Sequence, residues 1–289
     1  MTTKRSTLLS IVLGVALAAI ASVPASGAPF TFSNGSPDGR MAMASRPAFG
    51  GSLEIEAADD FALTGPTTIT GATFTGLIPT GAPLTSITKV VVEIYRVFPE
   101  DSDQGRTPHV PTRVNSPSDN ALASRDSAVA GQLVFVPSVL NSSFSAANSV
   151  LNGIHPSPNQ MTGGEGSVSG QEVQFNVTFT SPFDLSADHY FFVPQVLLTS
   201  GNFYWLSTPR PNPALNPDLQ AWIRNFDLDP DWLRVGTDIV GGSTPPTFDA
   251  AFDLIGDTVA AVPEPATLFL VGAGVVACGV LRRRGHRER

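Results

Sequence analysis

Residues 171–180 read QEVQFNVTFT, the clearest statement of fold class in the chain. Val173, Phe175, Val177 and Phe179 fall on one side of an extended segment, and Gln174, Asn176, Thr178 and Thr180 fall on the other. Side chains alternate across a strand, so this pattern gives one buried and one wet face, as in an antiparallel sheet laid on a core.

Residues 87–98, ITKVVVEIYRVF, are denser. Val90, Val92 and Ile94 share one face, while Val91, Tyr95 and Val97 share the other with Glu93, which predicts a central strand covered on both sides. The pattern predicts further strands at residues 67–75, 132–136, 190–199, 202–207 and 248–254, and a short helical turn at 218–224. The 25 prolines and 26 glycines punctuate many turns. Residues 100–131 and 141–170 read as long loops, the places where binding would vary. No fixed repeat is present. The expected class is all-β, an antiparallel jelly-roll-like β-sandwich with long loops.

The two ends of the chain differ from this body. Lys4 and Arg5 precede an apolar stretch from Leu8 to Ala21 and a small-residue segment ending at Ala28. That order is a signal peptidase substrate, with cleavage after Ala25 or Gly27, so residues 1–27 are expected to be a signal peptide. Residues 28–258 are the expected ectodomain and 259–289 a separate tail. The formal charge is −8 for the whole chain, but the body keeps 10 basic and 23 acidic residues, a net −13. Such a body repels nucleic acid, which is not an expected partner. The one cysteine, Cys278, lies in the tail, so the body holds no disulfide and must be stabilised by its core.

The tail contains Val262-Pro263-Glu264-Pro265, a weakly polar to apolar run over 266–281, and Arg282, Arg283 and Arg284. As a helix the 16-residue run measures about 24 Å, short of the roughly 20 residues that a spanning helix usually needs. The arginines hold the C-terminal end in the cytoplasm and place the body outside. In this order the three parts resemble the PEP-CTERM sorting signal of exported bacterial proteins. The resemblance covers about the last 28 residues. It implies recognition by an exosortase, cleavage near Pro263, Glu264 and Pro265, transient anchoring through a transmembrane helix at 266–281, and delivery to the cell surface or the surrounding matrix. Ala58-Asp59-Asp60-Phe61 and Phe252-Asp253-Leu254 resemble the edges of β-sandwich bodies that precede such tails, without implying an activity.

No catalytic motif accompanies these signals. His109, His155, His189 and His286 lack metalloprotease spacing, and residues 166–170 (GSVSG) miss the register of a nucleophile elbow. The body is therefore expected to be non-enzymatic and without a cofactor, and an extracellular hydrolase ranks last. Asp227, Asp229 and Asp231 have the alternate spacing of a calcium loop, but Trp232 stands where the turn needs glycine, so they form only a weak metal candidate. Trp205, Trp222 and Trp232 are candidates for a glycan-binding face, with exopolysaccharide as partner, set against the reading that they fill the core. The expected function is an exported surface or matrix protein, with a polysaccharide-binding module as the alternative.

Overall fold

The alternation at residues 171–180 belongs to a longer strand, Val168–Leu185, in the larger of two sheets. A computed structural model describes residues 27–155 and 161–259. In chain order the strands are β1 (Pro29–Ser33), β2 (Met41–Ala44), β3 (Ile55–Leu63), β4 (Thr67–Ile78), β5 (Ile87–Arg96), β6 (Ala123–Asp126), β7 (Leu133–Ala146) and β8 (Asn148–Val150). They continue with β9 (Val168–Leu185), β10 (Asp188–Leu198), β11 (Tyr204–Thr208), β12 (Trp222–Asn225), β13 (Leu233–Arg234), β14 (Asp249–Ala250) and β15 (Phe252–Thr258). The all-β expectation holds.

The larger sheet has the order β1-β15-β4-β11-β2-β8, with β9 pairing β4 and β7, and β14 pairing β11. The smaller sheet has the order β13-β12-β3-β10-β5-β6. Pairing is antiparallel except for β2 with β8. The inward faces meet in an aromatic core: Phe74 stacks on Phe175 at 4.8 Å, and Phe192 of the smaller sheet stacks on Phe252 of the larger at 4.9 Å. As the period of two requires, Val173, Phe175, Val177 and Phe179 are buried and Asn176, Thr178 and Thr180 are exposed. Strand β5 is covered on both faces. Val90, Val92 and Ile94 enter the main core, whereas Tyr95 joins Trp222, Trp232, Phe191 and Leu219 in a second cluster.

The structure corrects three local expectations. Residues 218–224 hold no helical turn; Trp222 and Ile223 pair with Ala58 and Ala57 as part of β12, because both faces of that segment bury apolar side chains. The strand expected at 132–136 runs on to Ala146, ten residues further, so residues 141–146 are sheet and not loop. Strand β3 was absent from the sequence reading because acids occupy its buried positions: Ile55, Ala57, Phe61 and Leu63 face the main core on the same parity as Asp59. The loop from 97 to 122 is tied down by buried ion pairs, Arg113 to Asp119 at 2.5 Å and Arg106 to Asp231 at 2.6 Å.

Candidate functional site

On the outer face of the larger sheet lies a cleft of about 350 Å³. Strand β4 lends Thr73 and Thr75, the neighbours of core-facing Phe74; β9 lends Glu172 and Gln174, the neighbours of core-facing Val173 and Phe175. Period-two geometry thus sends apolar side chains inward and polar ones into the cleft. Two register irregularities in β7, on either side of Asn141, bring Leu140, Asn141 and Phe144 to one wall. Ser33, Gly35, Ser36 and Pro37 close one end, and Phe74 and residues 251–253 complete the lining. Asn141 Nδ2 donates to Glu172, and the Thr73 hydroxyl donates to Asp253 at 2.6 Å. Among the described residues no Lys, Arg or His lines the cleft.

A second polar feature sits inside the fold. Asp59, fully buried, accepts from Asn34 Nδ2 at 2.6 Å and from the Ala250 N–H at 2.7 Å. Its neighbour Asp60 points to the other face, 2.5 Å from His189 Nε2, and also accepts from the Leu219 N–H. Arg210 Nε lies 3.0 Å from Asp218 and 3.1 Å from Asp249. One guanidinium therefore faces several carboxyls. Burial is the main cause that raises Asp59, Asp60, Asp218 and Asp249; repulsion from neighbouring acids adds to it at Asp59, Asp218 and Asp249, while His189 and the Leu219 N–H pull Asp60 back down. Asp249 is pushed up to about 8. A buried charge without a partner is costly, so these groups hold protons where exposed acids would not.

A third network is fully satisfied. Arg224 donates to Glu56, to the Tyr95 hydroxyl at 2.7 Å and to the Asp119 carbonyl, and its guanidinium lies 4.3 Å over the Trp232 ring. Burial would lower the Arg224 pKa, but Glu56 and Tyr95 outweigh it and raise it. Burial and the nearby Glu56 push Glu93 up to about 8.

Beyond this geometry, residues 261–284 match a family model for the PEP-CTERM protein-sorting motif. The chain carries a PEP-CTERM sorting signal. The motif implies an exported protein that is processed by an exosortase and directed to the cell envelope or surface. No curated protein and no solved structure matches the chain.

The residues of the PEP-CTERM signal, including Pro263, Glu264, Pro265 and the arginines Arg282, Arg283 and Arg284, lie outside the described residues, as do the helix expected at 266–281 and residues 1–26 of the leader. Among the described residues no helix is long and apolar enough to cross a membrane. In the body of the PEP-CTERM protein the tryptophans are buried and offer no face to solvent. Trp205 packs edge-on against Phe192 and Phe252 and donates to the Ala251 carbonyl. Trp232 stands edge-on to Tyr95 and donates to the Ser118 carbonyl, and Trp222 shares its cluster. These three residues therefore form no glycan-binding face; their size drives them into the core.

The calcium candidate also disperses. Asp231 is buried and takes both Arg106 nitrogens and the His109 N–H. Burial acts to raise its pKa, but Arg106, the His109 N–H and Arg113 outweigh it and lower the value. Asp229 pairs with Arg224 at 2.8 Å, and Asp227 is exposed. Among the described residues no three His, Cys, Asp or Glu side chains are grouped to hold a metal ion. The cleft residues were missed because they are ordinary polar partners in strand alternation. The one available signal was the run of β7 beyond Val136, whose Leu140 and Phe144 keep an apolar pattern through a polar stretch.

Proposed function

We propose that this protein is a non-enzymatic surface or matrix protein, a jelly-roll-like β-sandwich exported by its leader, moored briefly by residues 266–281 and released from that mooring by cleavage near Pro263, Glu264 and Pro265. The sorting motif over 261–284 carries this reading. Physically, two prolines hold an extended segment with few backbone donors just outside the membrane, and the glutamate offers one charge to a basic pocket. A hydrophobic run of about 24 Å is a marginal span, suited to a temporary anchor. Signal peptidase acts at the other end.

Replacing Pro263, Glu264 and Pro265 with alanines tests it. The variant is expected to stay full length in the membrane fraction while the parent is shortened and leaves it. Equal processing of both would overturn the reading.

The cleft on the larger sheet favours a second reading, a polysaccharide-binding module. It is a polar groove of ligand size on a sheet face, with an aromatic wall at Phe144, and it takes the place of the tryptophan face.

A further inference from the structure

We infer that the cleft takes a neutral, hydroxyl-rich sugar segment and rejects uronic-acid chains, an inference that rests on the polysaccharide-binding reading. The volume, about 350 Å³, lies within the roughly 300–1,000 Å³ of small-ligand sites. The chemistry of the lining chooses the ligand. Among the described residues that line it, two, Glu172 and Asp253, carry carboxyl groups, and none is Lys, Arg or His. A carboxylate has about four lone-pair sites, and among the described residues the only side-chain donors placed on this pair are Asn141 Nδ2 on Glu172 and the Thr73 hydroxyl on Asp253. The cleft is therefore rich in acceptors and calls for a ligand that donates.

Two further groups stand ready. Among the described residues, the Gln174 side-chain amide and the Thr75 hydroxyl line the cleft and have no hydrogen-bond partner. Sugar hydroxyls are both donors and acceptors. They can donate to Glu172 and Asp253 and accept from the Gln174 NH2, while the C–H face of the ring lies on the half-buried Phe144. A uronate would bring its charge against two carboxylates with no guanidinium or ammonium to receive it, inside a body of net charge −13. Like-charge contact of this kind excludes a ligand more firmly than a missing hydrogen bond.

The test is saturation-transfer and titration NMR on the full chain in detergent micelles, with neutral gluco-, galacto- and manno-tetraoses and an oligogalacturonate of equal length. At least one neutral tetraose is expected to bind and the oligogalacturonate not to. Gln174→Ala is expected to weaken binding about tenfold, the equivalent of one hydrogen bond of about 1.4 kcal/mol. Glu172→Gln, isosteric and able to keep its contact with Asn141, is expected to admit the oligogalacturonate. Circular dichroism melts identify any variant that fails to fold, and Phe144→Leu then serves as a second probe of the same wall. Oligogalacturonate bound at the parent cleft as tightly as the neutral sugars would overturn the inference yet leave the polysaccharide reading standing. Binding of none of the sugars would remove both. Neutral-sugar binding unchanged in Gln174→Ala and Phe144→Leu would place the ligand elsewhere and overturn the inference.

Discussion

Replacing Asp249 with asparagine should make the body more stable at alkaline pH. Asp249 is 1 % exposed and stands 3.1 Å from Arg210 Nε, which Asp218 shares at 3.0 Å. Burial first, and then Asp218, Asp60 and Asp38, push its carboxyl from 3.8 up to about 8, against the pull of Arg210. The folded state therefore binds a proton that the unfolded chain releases near pH 4. With more protons on the native state, stability is greatest below the unfolded value and falls as pH rises through about 8. At about 1.4 kcal/mol for each tenfold change in proton activity, the ceiling is about 6 kcal/mol. Asp59, Asp60 and Asp218 share the titration, so the part that follows Asp249 is about 3 kcal/mol. Asparagine keeps the shape and has no proton to lose. Urea unfolding followed by fluorescence of the three tryptophans, from pH 5 to pH 9, measures the difference. Parent and Asp249→Asn should agree within about 1 kcal/mol at pH 5, and the variant should be the more stable by about 3 kcal/mol at pH 9. A parent whose stability rises between pH 6 and pH 9, or a variant less stable than it at pH 9, would refute the reasoning.

Two further substitutions probe the frame. A Cβ added at Gly76 would lie 2.2 Å from the Phe203 ring and 2.4 Å from the Tyr204 carbonyl, so Gly76→Ala should cost about 1–3 kcal/mol in chemical unfolding. Arg224→Met would leave Glu56 and the Tyr95 hydroxyl buried without their cation, and a loss of about 3–5 kcal/mol at pH 7 is expected; adding Glu56→Gln should recover part of it.

Legibility in the sequence followed how far side-chain alternation spoke for itself. Strands β4, β9, β10 and β11 were readable because apolar residues alternate with hydroxyls and amides or run unbroken through a buried strand. Strand β3 was not, although Ile55, Ala57, Phe61 and Leu63 keep the period. Glu56, Asp59 and Asp60 read as surface until Arg224, Asn34 and His189, distant in sequence, are seen to supply their partners. The tryptophans failed as a surface for the same reason: whether Trp222 faces water or Tyr95 and Phe191 depends on which strand pairs with β12. The sorting tail was legible because its three parts act in linear order and need no tertiary context. The cleft was not, because it joins side chains from β4, β7, β9 and β15 that only the pairing of the sheet brings together.

The buried acids also change what the net charge means. A value of −13 for residues 28–258 counts every carboxyl as ionised. Asp249 and Glu93 are both pushed up to about 8, so they hold a proton to higher pH than exposed acids do, and Asp59, Asp60 and Asp218 are raised as well. The field around the body is therefore weaker than the composition suggests, and the carboxyl groups that meet a ligand are those that line a cleft, the half-buried Asp253 and the more deeply set Glu172 among them. Holding more acids than cations inside a fold is costly, and this body has no disulfide to offset the cost. Its compensation is the aromatic core: Phe32, Phe61, Phe74, Phe175, Phe192, Phe203, Trp205 and Phe252 touch one another in a continuous chain between the sheets. Each such ring buries about 150–250 Å², and close pairs add about 0.5–1.5 kcal/mol. A core of that strength lets an exported body fold without covalent cross-links and still keep the acidic cluster of Asp59, Asp218 and Asp249 inside, which makes the alkaline limb of the stability curve the place where the two effects can be told apart.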